Sequence, residues 1–390
     1  MIIQKLKNIY HLIRALSANI YFGFPSKKIK IIGITGTDGK TTTTHLIYHI
    51  LKTARLKVSM ISTIYAKITG KEFNTGFHVT TPDAFIIPKY LKMAVDNKEE
   101  YFVLETTSHR LDQNQLFGIN FEIGVLTNVT HEHLDYHQTY EKYLKAKAKL
   151  LLSSKIAIIN RDDQSFKKIK EILIDKKVYT YGLSDCNVLK DLKEHIAEFN
   201  KYNYLAAYTV CKILNIPEDQ ISNAINTFKL PPGRLELAYD KDFKVIIDFA
   251  HTPNAIENAL REIRKLYLRN GGRLIHVFGS AGLRDVTKRP LMGEASSKYA
   301  DFSIITEEDY RTEDPDKICQ QIVSGMKNQR YKIIIDRKEA IKQAVAMAKK
   351  NDVIVTTGKG HEQSLCRGKN EYPWDEKKAI LAALKLYDYL

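Results

Sequence analysis

The chain has 390 residues, 44% hydrophobic and 27% charged, the proportions of a soluble globular protein with room for about two or three domains. A formal charge of +15 admits nucleic acid, anionic lipid or anionic small molecules as partners and selects none of them. The four cysteines, Cys186, Cys211, Cys319 and Cys366, are far apart and form no CxxC pair, which excludes a disulfide framework and points to a reducing cytoplasm.

Residues 1–24 repeat apolar side chains at helical spacing (Ile2, Ile3, Leu6, Ile9, Tyr10, Leu12, Ile13, Leu16). Residues 1–30 carry Lys5, Lys7, Arg14, Lys27, Lys28 and Lys30 and no acidic residue. No small-residue cleavage site follows, so a signal peptide is not expected. A helix packed on the first domain is the plain reading of 1–28. Peripheral contact with an anionic membrane is the sharper one.

Lys30 to Lys52 reads strand, glycine turn, helix. The turn Gly36-Thr37-Asp38-Gly39 is followed by Lys40, Thr41 and Thr42, so free backbone amides and a helix N-terminus meet at one point. That arrangement suits a nucleotide phosphate, with Lys40 on the β/γ-phosphates and Thr41 or Thr42 offering a hydroxyl to Mg²⁺. The pattern is incomplete, because Ile34 stands where the first P-loop glycine belongs.

Strands are expected at Val58–Ile64, Tyr101–Glu105, Ile123–Thr127, Lys155–Asn160 and Lys177–Tyr181, with helices between. This describes an open, mostly parallel sheet, which binds ligands at the carboxyl ends of its strands. Glu105 and His133 would then share a rim with the glycine turn and could hold Mg²⁺ there. The run Leu230-Pro231-Pro232-Gly233-Arg234 breaks the pattern and marks a domain boundary. Three segments result: a basic amphipathic helix at 1–28, an ATP-binding domain at 29–231 and a second, Rossmann-like α/β domain at 232–390. The alternation restarts with strands at Lys244–Asp248, Arg273–Phe278, Phe302–Thr306, Tyr331–Ile335 and Asp352–Thr356.

The ordered segments GITGTDGKTTT, TTP at Thr80, ETTSH at Glu105, TNVTHEHLDYH at Thr127, YLKAK ending at Lys147, INRDD at Ile159, FNKYN at Phe199, PPGRLE at Pro231, DFAHTPNA at Asp248, GLRDVTKRPLM at Gly282 and GKGHE at Gly358 together resemble the Mur ligase family, in particular its MurE-like members. The resemblance runs from about Ile31 to Asp375. It implies an ATP-dependent ligase that phosphorylates a muramoyl-peptide carboxylate to an acyl phosphate and joins it to an amino acid in peptidoglycan precursor synthesis. Such a site must align two anions and neutralise their charge.

By the same resemblance, Glu105, His133 and Thr41 bind magnesium, and Lys147 is carbamylated and holds a second Mg²⁺. Read alone, Lys147 is a solvated lysine in a lysine-rich helix. Asn200, Arg234, Asp248 and His251 would surround the adenine and ribose. Thr80, Thr81, Ser108 and Gln113 would hold the muramoyl peptide. Arg284, Arg311, Gly358 and Glu362 would hold an incoming diamino acid, meso-diaminopimelate or lysine, an arginine suiting its carboxylate and a glutamate its distal ammonium.

Four departures qualify the match. Family members carry a uridine-nucleotide-binding domain before the P-loop, whereas about thirty residues precede it here. Uridine would then be recognised by a partner chain, or the acceptor is lipid-linked or otherwise altered. Gln115 stands where an arginine is expected, and Gly182–Glu198 is shorter than the family's insertion. The selectivity motif Asp-Asn-Pro-Arg reads Glu308-Asp309-Tyr310-Arg311. Folylpolyglutamate synthetases, which also lack the uridine domain, are the alternative among enzymes; an ATP-binding regulatory module is the alternative outside them. No nucleic-acid role is expected.

Overall fold

The computed structural model describes residues 2–74, 81–130, 132–190, 196–268 and 271–390. The chain divides into two compact units, Met1–Lys229 and Leu230–Leu390.

The first unit opens with helix α1 (Ile2–Tyr21). Strand β1 (Lys30–Thr35), helix α2 (Lys40–Thr53), strand β2 (Val58–Ile61), a hairpin β3 (Ala66–Ile68) and β4 (Lys71–Phe73), and helix α3 (Ile86–Asp96) follow. Next come β5 (Tyr101–Glu105), α4 (Ser108–Asp112), β6 (Phe121–Leu126), α5 (Leu134–His137), α6 (Tyr140–Ser153), β7 (Ser154–Asn160), α7 (Phe166–Ile172), β8 (Lys177–Tyr181), α8 (Glu198–Ile213) and α9 (Glu218–Thr227). The eight strands form one sheet in the order β4-β3-β2-β5-β1-β6-β7-β8, parallel except for the β3–β4 edge. The strand read as Val58–Ile64 is shorter than that, because the chain turns back at Ser62 into the hairpin. Thr69 and Gly70 both have positive φ there, the twist a two-residue hairpin turn needs.

Period-two alternation along the strands sorts the core. Ile32, Ile34, Val103, Ile123 and Val125 pack with Leu46, Ile50, Leu205 and Val210 of α2 and α8. Ile31, Phe102 and Leu104 face the other way, against Leu91, Leu111 and Leu150 of α3, α4 and α6, and Phe121 joins them where the β1–β6 register shifts. Strand β1 lies between β5 and β6, so the chain leaves it in opposite directions and a crevice opens at its carboxyl end.

The second unit holds β9 (Glu236–Asp240), β10 (Lys244–Ile247), α10 (Pro253–Tyr267), β11 (Leu274–Phe278), α11 (Lys288–Tyr299), β12 (Phe302–Ile305), α12 (Pro315–Val323), β13 (Tyr331–Ile333), α13 (Arg337–Met347), β14 (Val353–Thr356), the hairpin β15 (Ser364–Arg367) and β16 (Asn370–Pro373), and α14 (Glu376–Leu386). Its main sheet runs β13-β12-β11-β14-β10-β9, with β9 antiparallel to β10 at the edge. Residues on β10, β11 and β14 again alternate between two helical layers: Val245, Ile247, Ile275, Val277 and Ile354 against α13 and α14, and Ile246, Leu274, Phe278, Val353 and Val355 against α10, α11 and α12. Strand β9 and both hairpins were not read from the sequence.

Candidate active site

The glycine turn after β1 is shaped by two close approaches. A Cβ on Gly36 would lie 1.8 Å from Thr127 Oγ1, and one on Gly39, at φ +82°, would lie 2.1 Å from Asn203 Oδ1. Only glycine fits at either place. Neighbouring strand ends hold the turn. Asn128 Oδ1 accepts from the amides of Thr37 and Asp38 at 3.2 and 2.9 Å, and Thr127 Oγ1 donates to Asp38 O at 2.6 Å. Gly39 then caps α2, whose first turn points its amides into the crevice. Lys40 folds back, its Nζ donating to Gly36 O at 3.0 Å and Thr37 O at 2.7 Å. A phosphate fits this corner, since an ammonium and a helix N-terminus meet there.

Thr41 Oγ1 donates to Glu105 Oε1 at 3.0 Å. Glu105 ends β5, is 0% exposed, and also accepts from Thr63 N at 2.9 Å and Thr63 Oγ1 at 2.8 Å. The first turn of α2 and the end of β5 are thus joined through a hydroxyl–carboxylate pair of hard oxygen donors, the kind Mg²⁺ prefers. Thr42 is buried in the same turn. His133, at φ +56°, stands against Glu132, with Nε2 3.5 Å from its Oε2, and its ring lies 4.8 Å from that of His109 and 6.0 Å from that of Tyr143. Among the described residues no group of three or more His, Cys, Asp or Glu is gathered to hold a metal.

Lys147 is not the solvated lysine its helix implies. It is 1% exposed, and its Nζ donates to Gly36 O at 2.5 Å while lying 4.4 Å from the centre of the Tyr143 ring. Burial, then the neighbouring charge of Lys40, push its ammonium well below the ordinary lysine range, against the pull of Glu132, Asp38 and Asp163. The Tyr143 hydroxyl is in turn 3.1 Å from Thr37 Oγ1.

Of the residues expected to hold the acceptor, Thr80 lies outside the described residues. Thr81 is buried, donating to Glu105 O at 3.1 Å and accepting from Thr107 N at 3.0 Å. Ser108 Oγ lies 3.0 Å from His137 Nε2, an imidazole whose pKa burial and then His109 lower to about 4. Gln113 Oε1 accepts from Gln115 Nε2 at 2.7 Å, and Gln115 accepts from Arg110. Asn200 Oδ1 accepts from Asn203 Nδ2 at 2.9 Å, which links it to the residue that closes on Gly39.

In the second unit, Asp248 Oδ2 accepts from Leu235 N and Oδ1 from Ala250 N, both at 2.8 Å. Burial raises its pKa, against the charge of Arg234. The Arg234 guanidinium sits 4.5 Å from the Phe249 ring centre, and the rings of His251 and His361 flank Phe249 at 4.8 and 4.9 Å. These residues make an aromatic and cationic platform. Arg284 is exposed, whereas Arg311 donates to Gly282 O at 2.7 Å and is braced by β15 through its own amide on Cys366 O at 3.1 Å. Gly358, at φ +95°, lies where a Cβ would come within 2.7 Å of Glu308 Oε2. Glu362 is paired with Lys359, whose Nζ also donates to Asp309 Oδ1 at 2.9 Å. The sequence alone pointed to neither Asn128, Tyr143 and Asn203 nor the Asp309–Lys359 pair. Their only local signal is that Asn128 follows a strand end and Asn203 lies one helical turn beyond Asn200.

A phosphate cradle on a parallel sheet, with a buried carboxylate and a buried lysine converging on it and a second α/β unit following, is the equipment of an ATP-dependent ligase. Comparison with known proteins agrees. The Mur ligase middle domain matches residues 34–228, and the Mur ligase, glutamate ligase domain matches residues 233–360. UDP-N-acetylmuramoyl-L-alanyl-D-glutamate--2,6-diaminopimelate ligase 1 of Clostridium acetobutylicum is 39% identical over 396 residues, covering 95% of this chain and 81% of that one. A solved structure of a UDP-N-acetylmuramoyl-L-alanyl-D-glutamate--2,6-diaminopimelate ligase matches with TM-score 0.60 at 28% identity, over 93% of this chain and 79% of that one. The ligand-free bifunctional folylpolyglutamate synthase/dihydrofolate synthase from Yersinia pestis matches with TM-score 0.73 over 97% and 95% of the two chains, at 17% identity, a likeness of fold alone. The chain belongs to the Mur ligase family, whose members are ATP-dependent, amide-bond-forming ligases.

Proposed function

We propose that this chain activates the carboxylate of a muramoyl peptide as an acyl phosphate, at the expense of ATP, and joins it to a diamino acid, meso-diaminopimelate or lysine. The observation that carries the reading is the buried Lys147 converging with Lys40 on the Gly36 carbonyl, while Thr41 and Glu105 meet on the same turn. Lys40 and the α2 amides hold the phosphates, and Gly36 to Gly39 keep the backbone open to them. A divalent cation, for which Thr41, Glu105 and His133 are the proposed ligands, would supply charge neutralisation when bound.

Burial lowers the Lys147 pKa and so favours the free amine, the nucleophile that carbon dioxide requires, and carbamylation would turn that amine into an anion. Asn200, Arg234, Asp248 and His251 serve the nucleoside. Thr80, Thr81, Ser108 and Gln113 serve the acceptor, and Arg284, Arg311, Gly358 and Glu362 serve the amino acid. The domains in this reading are 1–28, 29–231 and 232–390. The chain works in the cytoplasm, on an acceptor that is UDP-linked or lipid-linked.

No described helix is long and apolar enough to cross a membrane. Ile9, Ile13, Leu16 and Ile20 nonetheless form an outward apolar stripe on α1, which supports peripheral contact with an anionic membrane. Flotation of the full chain with anionic and neutral vesicles tests that contact, and absence from the anionic fraction refutes it. The central test is mass spectrometry of products from UDP-linked and lipid-linked muramoyl dipeptides, each supplied with ATP and either diaminopimelate or lysine. A mass gain of one amino acid, matched by ADP release, is expected. ADP release independent of both acceptor and amino acid overturns the reading.

A further inference from the structure

Helix α1 is tied to the acceptor side of the first unit by polar contacts. Asn8 Nδ2 donates to Asp112 O at 3.2 Å, and Arg14 Nη2 pairs with Asp83 Oδ1 at 2.9 Å. Across from it, Arg110 of α4 is held by the loop that bears Thr81. Its Nε donates to Thr81 O at 3.0 Å and its Nη1 to the Gln115 amide oxygen, which leaves Nη2 without a partner among the described residues. His11, one turn before Arg14, has a buried Nδ1 that no described group satisfies. Leaving a buried polar atom unpaired is costly, so the His11 Nδ1 is open to a ligand atom or a water. His11 and Arg110 each feel Arg14 and Asp83, so the four groups share one neighbourhood. Asp83 cancels one of the two guanidinium charges and leaves the cluster positive. Two guanidinium forks and an imidazole facing a single carboxylate match the planar oxygens of a second anion.

We propose that His11 and Arg14 of α1, with Arg110 of α4, form an oxyanion site that anchors the acceptor, through either a phosphate of its activated sugar or a carboxylate of its peptide. The acceptor assignment rests on the ligase reading given above; the oxyanion site itself does not. Helix α1 then acts as a wall of the acceptor cleft beside Thr81, and the site works by binding and orientation alone.

The test is a titration of the full chain, ¹⁵N-labelled at histidine and saturated with ADP to occupy the phosphate cradle, with the His11 signal assigned from H11Q. Inorganic pyrophosphate is added in one arm and D-glutamate in the other. A saturable shift of the His11 imidazole is expected in at least one arm, pyrophosphate alone indicating the sugar phosphate and D-glutamate alone the peptide carboxylate. R110Q and R14Q should each weaken it about tenfold, the loss of one charge-assisted contact, while R14K, which keeps the charge but not the fork, should weaken it less. No saturable shift in either arm overturns the proposal, as does an affinity that R110Q and R14Q both leave unchanged. Amino-acid-dependent ADP release is measured on the same protein. Anion binding that survives without such release removes the ligase reading and leaves the site standing.

Discussion

The Nζ of Lys147 lies 2.5 Å from the carbonyl oxygen of Gly36, joining a lysine on α6 to the turn after β1 across more than a hundred residues. Burial penalises the charged amine, so the folded pKa is below the unfolded one and the unfolded chain binds more protons between the two. The contribution of Lys147 to stability therefore rises with pH through that window and is lowest below it. Lys147→Met should abolish turnover, flatten this dependence, and raise stability at neutral pH by on the order of 1 kcal/mol. Urea titrations at several pH values, alongside ADP-release assays, check both halves. A ¹³C carbamate signal from labelled bicarbonate should appear in the native chain and vanish in the variant.

Glu105 accepts three hydrogen bonds while buried, so its removal acts on both chemistry and fold. Glu105→Gln should keep most of the shape, lose about 10²-fold or more in kcat, and weaken the dependence of rate on Mg²⁺. Glu105→Ala should in addition cost about 1–3 kcal/mol by removing the buried acceptor that Thr41 and Thr63 share. Metal titrations of the ADP-release rate separate the two effects.

Gly39 combines φ +82° with the Asn203 side chain 2.1 Å from any Cβ. Gly39→Ala should destabilise the turn by about 1–2 kcal/mol and weaken nucleotide binding at least tenfold, measured by calorimetry with a non-hydrolysable ATP analogue. Adding Asn203→Ala should recover part of the affinity, since it clears the clash and leaves only the backbone strain.

In the second unit Arg337 and Glu376 are both fully buried and bound through two contacts, Nε–Oε2 at 2.9 Å and Nη2–Oε1 at 2.6 Å. Burial drives the Glu376 pKa up, but Arg337 and the hydrogen bonds of the site outweigh it and the carboxyl is lowered. Its stabilising share is therefore present above the ordinary glutamate pKa of 4.5 and lost as pH falls through the lower folded value. Glu376→Ala should cost about 3–5 kcal/mol, because a buried guanidinium is left uncompensated. Limited proteolysis of the second unit across the pH range reads this without assuming that the whole chain unfolds in one step.

Lys359 is shared between Asp309 and Glu362. Asp309→Asn should concentrate the Lys359 charge on Glu362, withdrawing that carboxylate from an incoming ammonium. The KM for the diamino acid should rise about tenfold while ATP affinity holds, as steady-state kinetics with each substrate varied would show. An unchanged KM would show that Glu362 does not meet the amino acid.

Much of the architecture lies in local pattern. The alternation through Ile31, Ile32 and Ile34 and through Phe102, Val103 and Leu104 demands strands buried on both faces, which in turn demand helices between them. The order Gly36 to Thr42 places a phosphate cradle at a strand end without reference to the rest of the chain, because amides, lysine and helix start are neighbours in sequence. Short irregular elements escaped that logic. The β3–β4 turn uses Thr69-Gly70 rather than a stronger turn pair, and β9 is an edge strand whose partner decides its direction.

What residue order by itself determined is therefore the two α/β units, the phosphate turn and the motif register that identifies the family. Tertiary structure decided which charges are buried. Lys147 among its neighbours Lys142, Lys145 and Lys149 looks solvated, and becomes a desolvated amine only because β1 brings the Gly36 carbonyl against α6. Asn128 holds the turn, Asn203 closes on Gly39 and Asp309 takes Lys359 for the same reason. Hydrogen bonds and desolvation depend on distance in space, and positions fifty or more residues apart carry no local trace of it.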